Sequence, residues 1–184
     1  NSRYVFTMSS SSSILSVFDT LLFDEVASYS IGYTPYDAVI SDDGLKMYVV
    51  TSNEDSIVVL DISDPEEIVE DDTLDTATTG ITYRSIAKAE VSGDLYLFLA
   101  DRNNDRIYIF DADSQELVDS SANPVSLSFS PIDIDVSPDE TTFSALSSDG
   151  EFHVFNTSTF LEIRSLLDVG AFASSLNFTK VIHG

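Results

Sequence analysis

Short apolar runs separated by polar turns fill this chain from end to end, and the spacing within the runs is that of strands. The clearest stretch is residues 42–61. It begins with the turn Asp42-Asp43-Gly44, continues as an apolar run to Thr51, and breaks at Ser52-Asn53-Glu54-Asp55-Ser56. A second run, Ile57-Val58-Val59-Leu60, ends at Asp61. Asp-Gly between two β-prone runs is a hairpin signal, because both residue types tolerate the positive φ of a tight turn. The pattern predicts strand, turn, strand, polar loop and strand.

The same arrangement recurs. Ser85-Ile86-Ala87-Lys88-Ala89 occupies the place of Tyr36-Asp37-Ala38-Val39-Ile40, and Gly93-Asp94 that of the Asp-Gly turn. Further on, Pro131-Ile132-Asp133-Ile134-Asp135-Val136 is followed by the turn Pro138-Asp139-Glu140 and two more runs. Near the start, Tyr4-Val5-Phe6-Thr7-Met8 and Ile14-Leu15-Ser16-Val17-Phe18 flank a tract of five serines, which reads as a hairpin loop. The polar residue closing each third strand sets the period: Asp19, Asp61, Asp111 and Asn156 are 42, 50 and 45 residues apart. Four short strands per unit at this period are the signature of β-propeller blades. No amphipathic helix of useful length is present.

The expected architecture is therefore all-β: four-stranded antiparallel blades forming a single β-propeller domain over residues 1–184. The blades fall near residues 1–31 plus 173–182, 35–80, 82–130 and 131–170. The first unit lacks an inner strand, and residues 173–179 look like an inner strand without a blade. Pairing the two would close a four-bladed ring with strands from both termini. The alternative is a fragment of a larger propeller of six to eight blades, which would show the same pattern.

Pro-x-Asp-Ala, then Asp-Gly-x-x-Met-Tyr-Val, then Asn-x-Asp-Ser-Ile-Val-Val-Leu-Asp across residues 35–61 resembles the YVTN-type surface-layer propeller repeat. Leu60-Asp61-Ile62-Ser63-Asp64-Pro65 is similar to the LVIVD repeat. The resemblance implies an extracellular or cell-surface setting and a binding or scaffolding role. It also admits a calcium-dependent, lactonase-like hydrolase. The Trp-Asp signature of WD40 blades is absent, as is Trp altogether.

Charge narrows the partners. Thirty-two acidic residues against eight basic ones leave a net charge of −24, spread along the chain. Such a field repels nucleic acid and anionic lipid and favours cations or basic proteins. No apolar run approaches the length of a membrane span, so no membrane insertion is expected. The expected partners are proteins or further copies in an assembly. There is no Cys, which removes disulfides, thiolate metal sites and Cys nucleophiles.

The candidate chemistry is thin. Asp133 and Asp135 lie two apart on one strand and share a face, and Asp37 stands at the position matching Asp133. Around a Ca²⁺ ion these three carboxylates would supply hard oxygen ligands; otherwise they cap neighbouring backbone. Asp101, Asn103 and Asp105 have the alternate spacing that begins a calcium loop. Arg106 stands where that loop needs Gly, so turn formation is the better reading. His153 and His183 are far apart, and no nucleophile motif, phosphate loop or dinucleotide fingerprint occurs. No catalytic residue is assigned, and a non-enzymatic role is favoured. Asn156-Thr157-Ser158 and Asn177-Phe178-Thr179 are glycosylation sequons, relevant if the protein is secreted.

Overall fold

The computed structural model describes residues 3–53, 55–75, 80–166, 170 and 173–178. All regular structure in these residues is β. It forms four antiparallel sheets, each built on a meander in which consecutive strands pair, one of them with an additional short strand off that path. Each sheet has the make-up of a propeller blade, as the period predicts. The chain divides into two units, Asn1–Gly80 and Ile81–Gly184.

The first unit holds two sheets. One is β1 (Tyr4–Ser9), β2 (Ile14–Asp19) and β3 (Asp24–Ser30); the other is β4 (Pro35–Ile40), β5 (Lys46–Thr51), β6 (Ser56–Asp61) and β7 (Val69–Asp75). The serine tract is the β1–β2 loop: the Ser13 amide donates to the Ser9 carbonyl at 2.9 Å, and Ser13 takes φ 55°. Strand alternation sends Leu15 inward from β2, where it meets Met47, Val49, Val58 and Leu60 of the second sheet. All five are nearly or fully buried, and each contributes about 1.5–3 kcal/mol by leaving water.

The second unit repeats this packing. Its first sheet is β8 (Tyr83–Val91), β9 (Asp94–Asp101) and β10 (Arg106–Asp111), with two short outer strands, β11 (Glu116–Leu117) and β12 (Val125–Ser126), both on β10. Its second sheet is β13 (Pro131–Val136), β14 (Thr142–Ser147), β15 (Phe152–Asn156) and β16 (Glu162–Leu166). Phe98, Ala100, Ile107 and Ile109 of one sheet pack with Phe143, Ala145, Phe155 and Phe160 of the other. The Phe98 and Phe143 rings lie 4.6 Å apart.

Turn chemistry recurs with the repeat. Ser41 and Ser137 each donate a hydroxyl to the carboxylate two residues on, Asp43 and Asp139, at 2.6 Å. The same hydroxyls accept the amides of Lys46 and Thr142. Positive φ at Gly44 (73°) and Glu140 (56°) completes the turn. The period-marking residues turn out to be loop caps. Asp19 accepts the amides of Leu21 and Leu22, Asp111 those of Asp113 and Ser114, and Asn156 those of Ser158 and Thr159.

Three details depart from the expected alignment. A bulge interrupts each of these inner strands, after Pro35, Tyr83 and Pro131, and the pairings Asp37↔Val50, Ser85↔Ala100 and Asp133↔Leu146 make Ser85, not Ile86, the counterpart of Asp37 and Asp133. The fourth strand of the second repeat is broken. Between β11 and β12 the Asn123 side chain takes its place, accepting the Ile109 amide at 3.0 Å and donating to the Ile109 carbonyl at 2.7 Å. Residues 173–178 make no strand pairing, and β1 sits in a sheet of three strands among the described residues. The rest of the expected closing strand, residues 179–182, lies outside the described residues.

Candidate functional site

The inner strand β13 carries the carboxylates the sequence singles out. Ile134 between them is buried, and Asp133 and Asp135 emerge together on the other face, both half-buried. Their oxygens are already engaged. Asp133 Oδ1 accepts the Ser85 hydroxyl at 2.8 Å and the Ile134 amide at 3.1 Å. Its Oδ2 accepts the Leu176 amide at 2.5 Å. Asp135 Oδ1 accepts the Val136 amide at 2.8 Å, and its Oδ2 the Phe178 amide at 2.7 Å. Two carboxylates at a spacing of two thus hold two amides at the same spacing, which strings residues 173–178 alongside β13.

Asp37 stands in the other unit and accepts the amide of its own neighbour Ala38 at 2.9 Å. Among the described residues, no group of three or more His, Asp or Glu side chains converges as a metal would require. Backbone donors instead surround Asp133 and Asp135, and a donor set of N–H groups suits an anion's oxygens, not a cation.

The oxygen-rich loops are turns. Asp101, fully buried, accepts the Asn103 amide at 3.0 Å and the Asn104 side-chain amide at 2.7 Å. Asn53 donates to Ser56 Oγ at 2.7 Å. Side chains spent on their own loop in this way are what Asx residues supply to tight turns. Asp43 and Asp139 are held below the usual carboxylate range, chiefly by the hydroxyls of Ser41 and Ser137. Asp19 is lowered by its hydrogen bond from Arg3, whose Nε lies 2.7 Å away.

His153 packs edge-on to Phe129 at 4.9 Å and places Nδ1 2.8 Å from a Glu162 carboxylate oxygen. Its surroundings among the described side chains are a packed strand and one surface acid. His183 lies outside the described residues. Of the sequon asparagines, Asn156 is half-buried with Oδ1 capping its loop, and Asn177 is exposed.

One surface feature was not expected. Leu21, Leu22 and Phe23 form the β2–β3 loop and are 72%, 62% and 90% exposed. The loop is nevertheless well anchored: Thr20 donates its amide and hydroxyl to the Arg3 carbonyl at 2.8 and 2.7 Å, and the Phe23 amide bonds the Asp19 carbonyl at 2.9 Å. The signal in sequence was three apolar residues where the matching loop of the second repeat reads Asp113-Ser114-Gln115. Beside it, Thr7, Ser16, Ser28 and Glu25 line an open groove of about 350 Å³.

No protein-family profile matches the chain, and no curated protein matches it in sequence. Among solved structures, hydrazine synthase from Kuenenia stuttgartiensis is similar, with a TM-score of 0.62 and 15% identity. The match covers 77% of this chain and 38% of that one, and at this identity it is a likeness of fold.

Proposed function

We propose that this chain is a non-enzymatic binding or scaffolding portion of a β-propeller protein, working outside the cytoplasm or at the cell surface within a larger assembly. The observation that carries the reading is the use of Asp133 and Asp135. Both carboxylates act as acceptors for Ser85 and for the backbone of residues 173–178. Their oxygens are engaged as structural fastenings, which favours a structural use over holding a cation or activating water. Rigid sheets presenting ordered loops are a common basis for binding. The net charge of −24 selects basic partner surfaces and disfavours nucleic acid. The YVTN- and LVIVD-like stretch at residues 35–65 supports the surface setting.

Calcium-dependent lactone hydrolysis is the competing activity. A panel of lactones incubated with the protein, with and without calcium, is expected to show no turnover above buffer. Calcium-dependent turnover that Asp133→Asn abolishes would overturn the proposal.

A further inference from the structure

Asp133 and Asp135 are set in place by their own strand and sheet, whatever lies across from them. Each is pinned through Oδ1 by the amide of the next residue, Ile134 at 3.1 Å and Val136 at 2.8 Å, and the Ser85 hydroxyl adds a second bond to Asp133. Both Oδ2 atoms are thereby turned toward residues 173–178, which meet them with the amides of Leu176 and Phe178. Donors and acceptors are both two residues apart along extended chain, about 6.6–6.8 Å, so the two repeats match. Asp133 holds Leu176 and Asp135 holds Phe178, so the segment runs in the same direction as β13. It forms no strand of its own; Ser174, Ser175 and Asn177 are exposed, and Leu176 and Phe178 are half-buried. Across the ladder from Asp135, Ser144 is fully buried, and its hydroxyl has no hydrogen-bond partner among the described residues. Directly paired residues share a sheet face, so residues 173–178 leave part of this face's hydrogen-bonding capacity unused.

We infer that Asp133 and Asp135 form a two-point receptor for extended peptide. This chain's own residues 173–178 fill it, and an uncharged extended segment of another chain can take their place. The inference rests on the binding reading above and gives it a location and a ligand class. Both bonds come from peptide N–H groups, which every residue except proline carries, so the contact is open to many sequences. Main-chain bonds of this kind supply affinity, and alternate side chains, here Leu176 and Phe178, supply selectivity. Charge restricts the ligand further. Residues 169–179 carry no charged side chain, so they approach two carboxylates in a chain of net charge −24 without repulsion. An acidic segment would be repelled. Because the carboxylates are pinned before any segment arrives, exchange requires no rearrangement of β13.

Two measurements on the full chain test it. The probe is a fluorescein-labelled peptide bearing the sequence of residues 173–178 between paired glycines. Leu176→Pro with Phe178→Pro removes both donors of the tethered segment. By fluorescence anisotropy the peptide should bind this variant about fivefold or more tighter than the parent, where the tethered segment holds the site. A peptide with proline at its own Leu and Phe positions should not bind. Adding Asp133→Asn and Asp135→Asn to the variant should return binding to background. Binding that survives those two changes would overturn the inference, as would no binding to a proline variant that melts cooperatively. The second measurement needs no variant. Millimolar unlabelled peptide added to the parent should at least double hydrogen exchange at the Leu176 and Phe178 amides and leave the Ala145 amide unchanged. Unchanged exchange at all three, or equal acceleration at all three, would overturn the inference even where the proline variant fails to fold. Failure here would leave the hydrolysis and calcium results untouched, so the two readings fall separately.

Discussion

Asn123 offers the sharpest test of how the second repeat holds its broken outer strand. Its side chain makes three hydrogen bonds: from the Ile109 amide at 3.0 Å, to the Ile109 carbonyl at 2.7 Å, and to the Val118 carbonyl at 2.9 Å. Ile109 is fully buried and its carbonyl also receives the Val118 amide at 3.0 Å. Asn123→Ala therefore strands the Ile109 N–H while leaving that carbonyl one partner. An ordinary bond is worth about 0.5–1.5 kcal/mol net, and an orphaned buried donor costs about 1–3 kcal/mol. Because Asn123 is half-buried and water can reach part of the gap, the expected loss is about 2–3 kcal/mol. For a chain of this length that corresponds to a fall in Tm of roughly 4–12 °C. Asn123→Asp keeps an acceptor for the amide but loses both donations and faces two carbonyls with a charge, so it should be at least as destabilising. Urea unfolding gives the energy, and hydrogen exchange at the Ile109 amide gives the location. A loss below about 0.5 kcal/mol with unchanged Ile109 exchange would refute the reasoning.

Other outcomes follow from the same geometry. Phe160→Ala should cost about 3–5 kcal/mol, because it empties a packed site beside Tyr96 and Phe98. Phe23→Ala should stay within about 0.5 kcal/mol. Denaturant titration of the pair checks the contrast. Asp43 and Asp139 have folded pKa values below their unfolded ones, so their contribution is complete above the ordinary carboxylate value of 3.8. It disappears as pH falls through the folded values. Ser41→Ala with Ser137→Ala should therefore move the acid-unfolding midpoint to higher pH, read by circular dichroism. Asp133→Ala removes acceptors for Ser85 and Leu176 and should cost about 1–3 kcal/mol, with faster exchange at the Leu176 amide as its local signature.

Strands and their order were legible because period-two alternation and Asp-Gly turns are local signals. Their register was less so. The bulges after Pro35, Tyr83 and Pro131 add a residue that no composition marks, and each arm of the β8–β9 hairpin is one residue longer than in the β4–β5 one, so aligning the turns puts Ile86 where the pairing puts Ser85. Asn123 replacing a strand was invisible for a related reason: a side-chain amide imitating a peptide group depends on the position of residues fourteen apart. The shared face of Asp133 and Asp135 could be read from spacing. Their task could not, because it depends on backbone amides of Leu176 and Phe178, more than forty residues away. Nor could the exposure of Phe23, since Phe160 in the matching loop is buried.

The central claim is that Asp133 and Asp135 are structural fastenings, and calcium tests it most directly. Melting curves of the full chain in millimolar calcium should coincide with those in equal magnesium, for the parent and for Asp133→Asn with Asp135→Asn. A saturable calcium-specific rise, worth about 2.7 kcal/mol at a hundredfold excess over Kd and absent from the double variant, would contradict it.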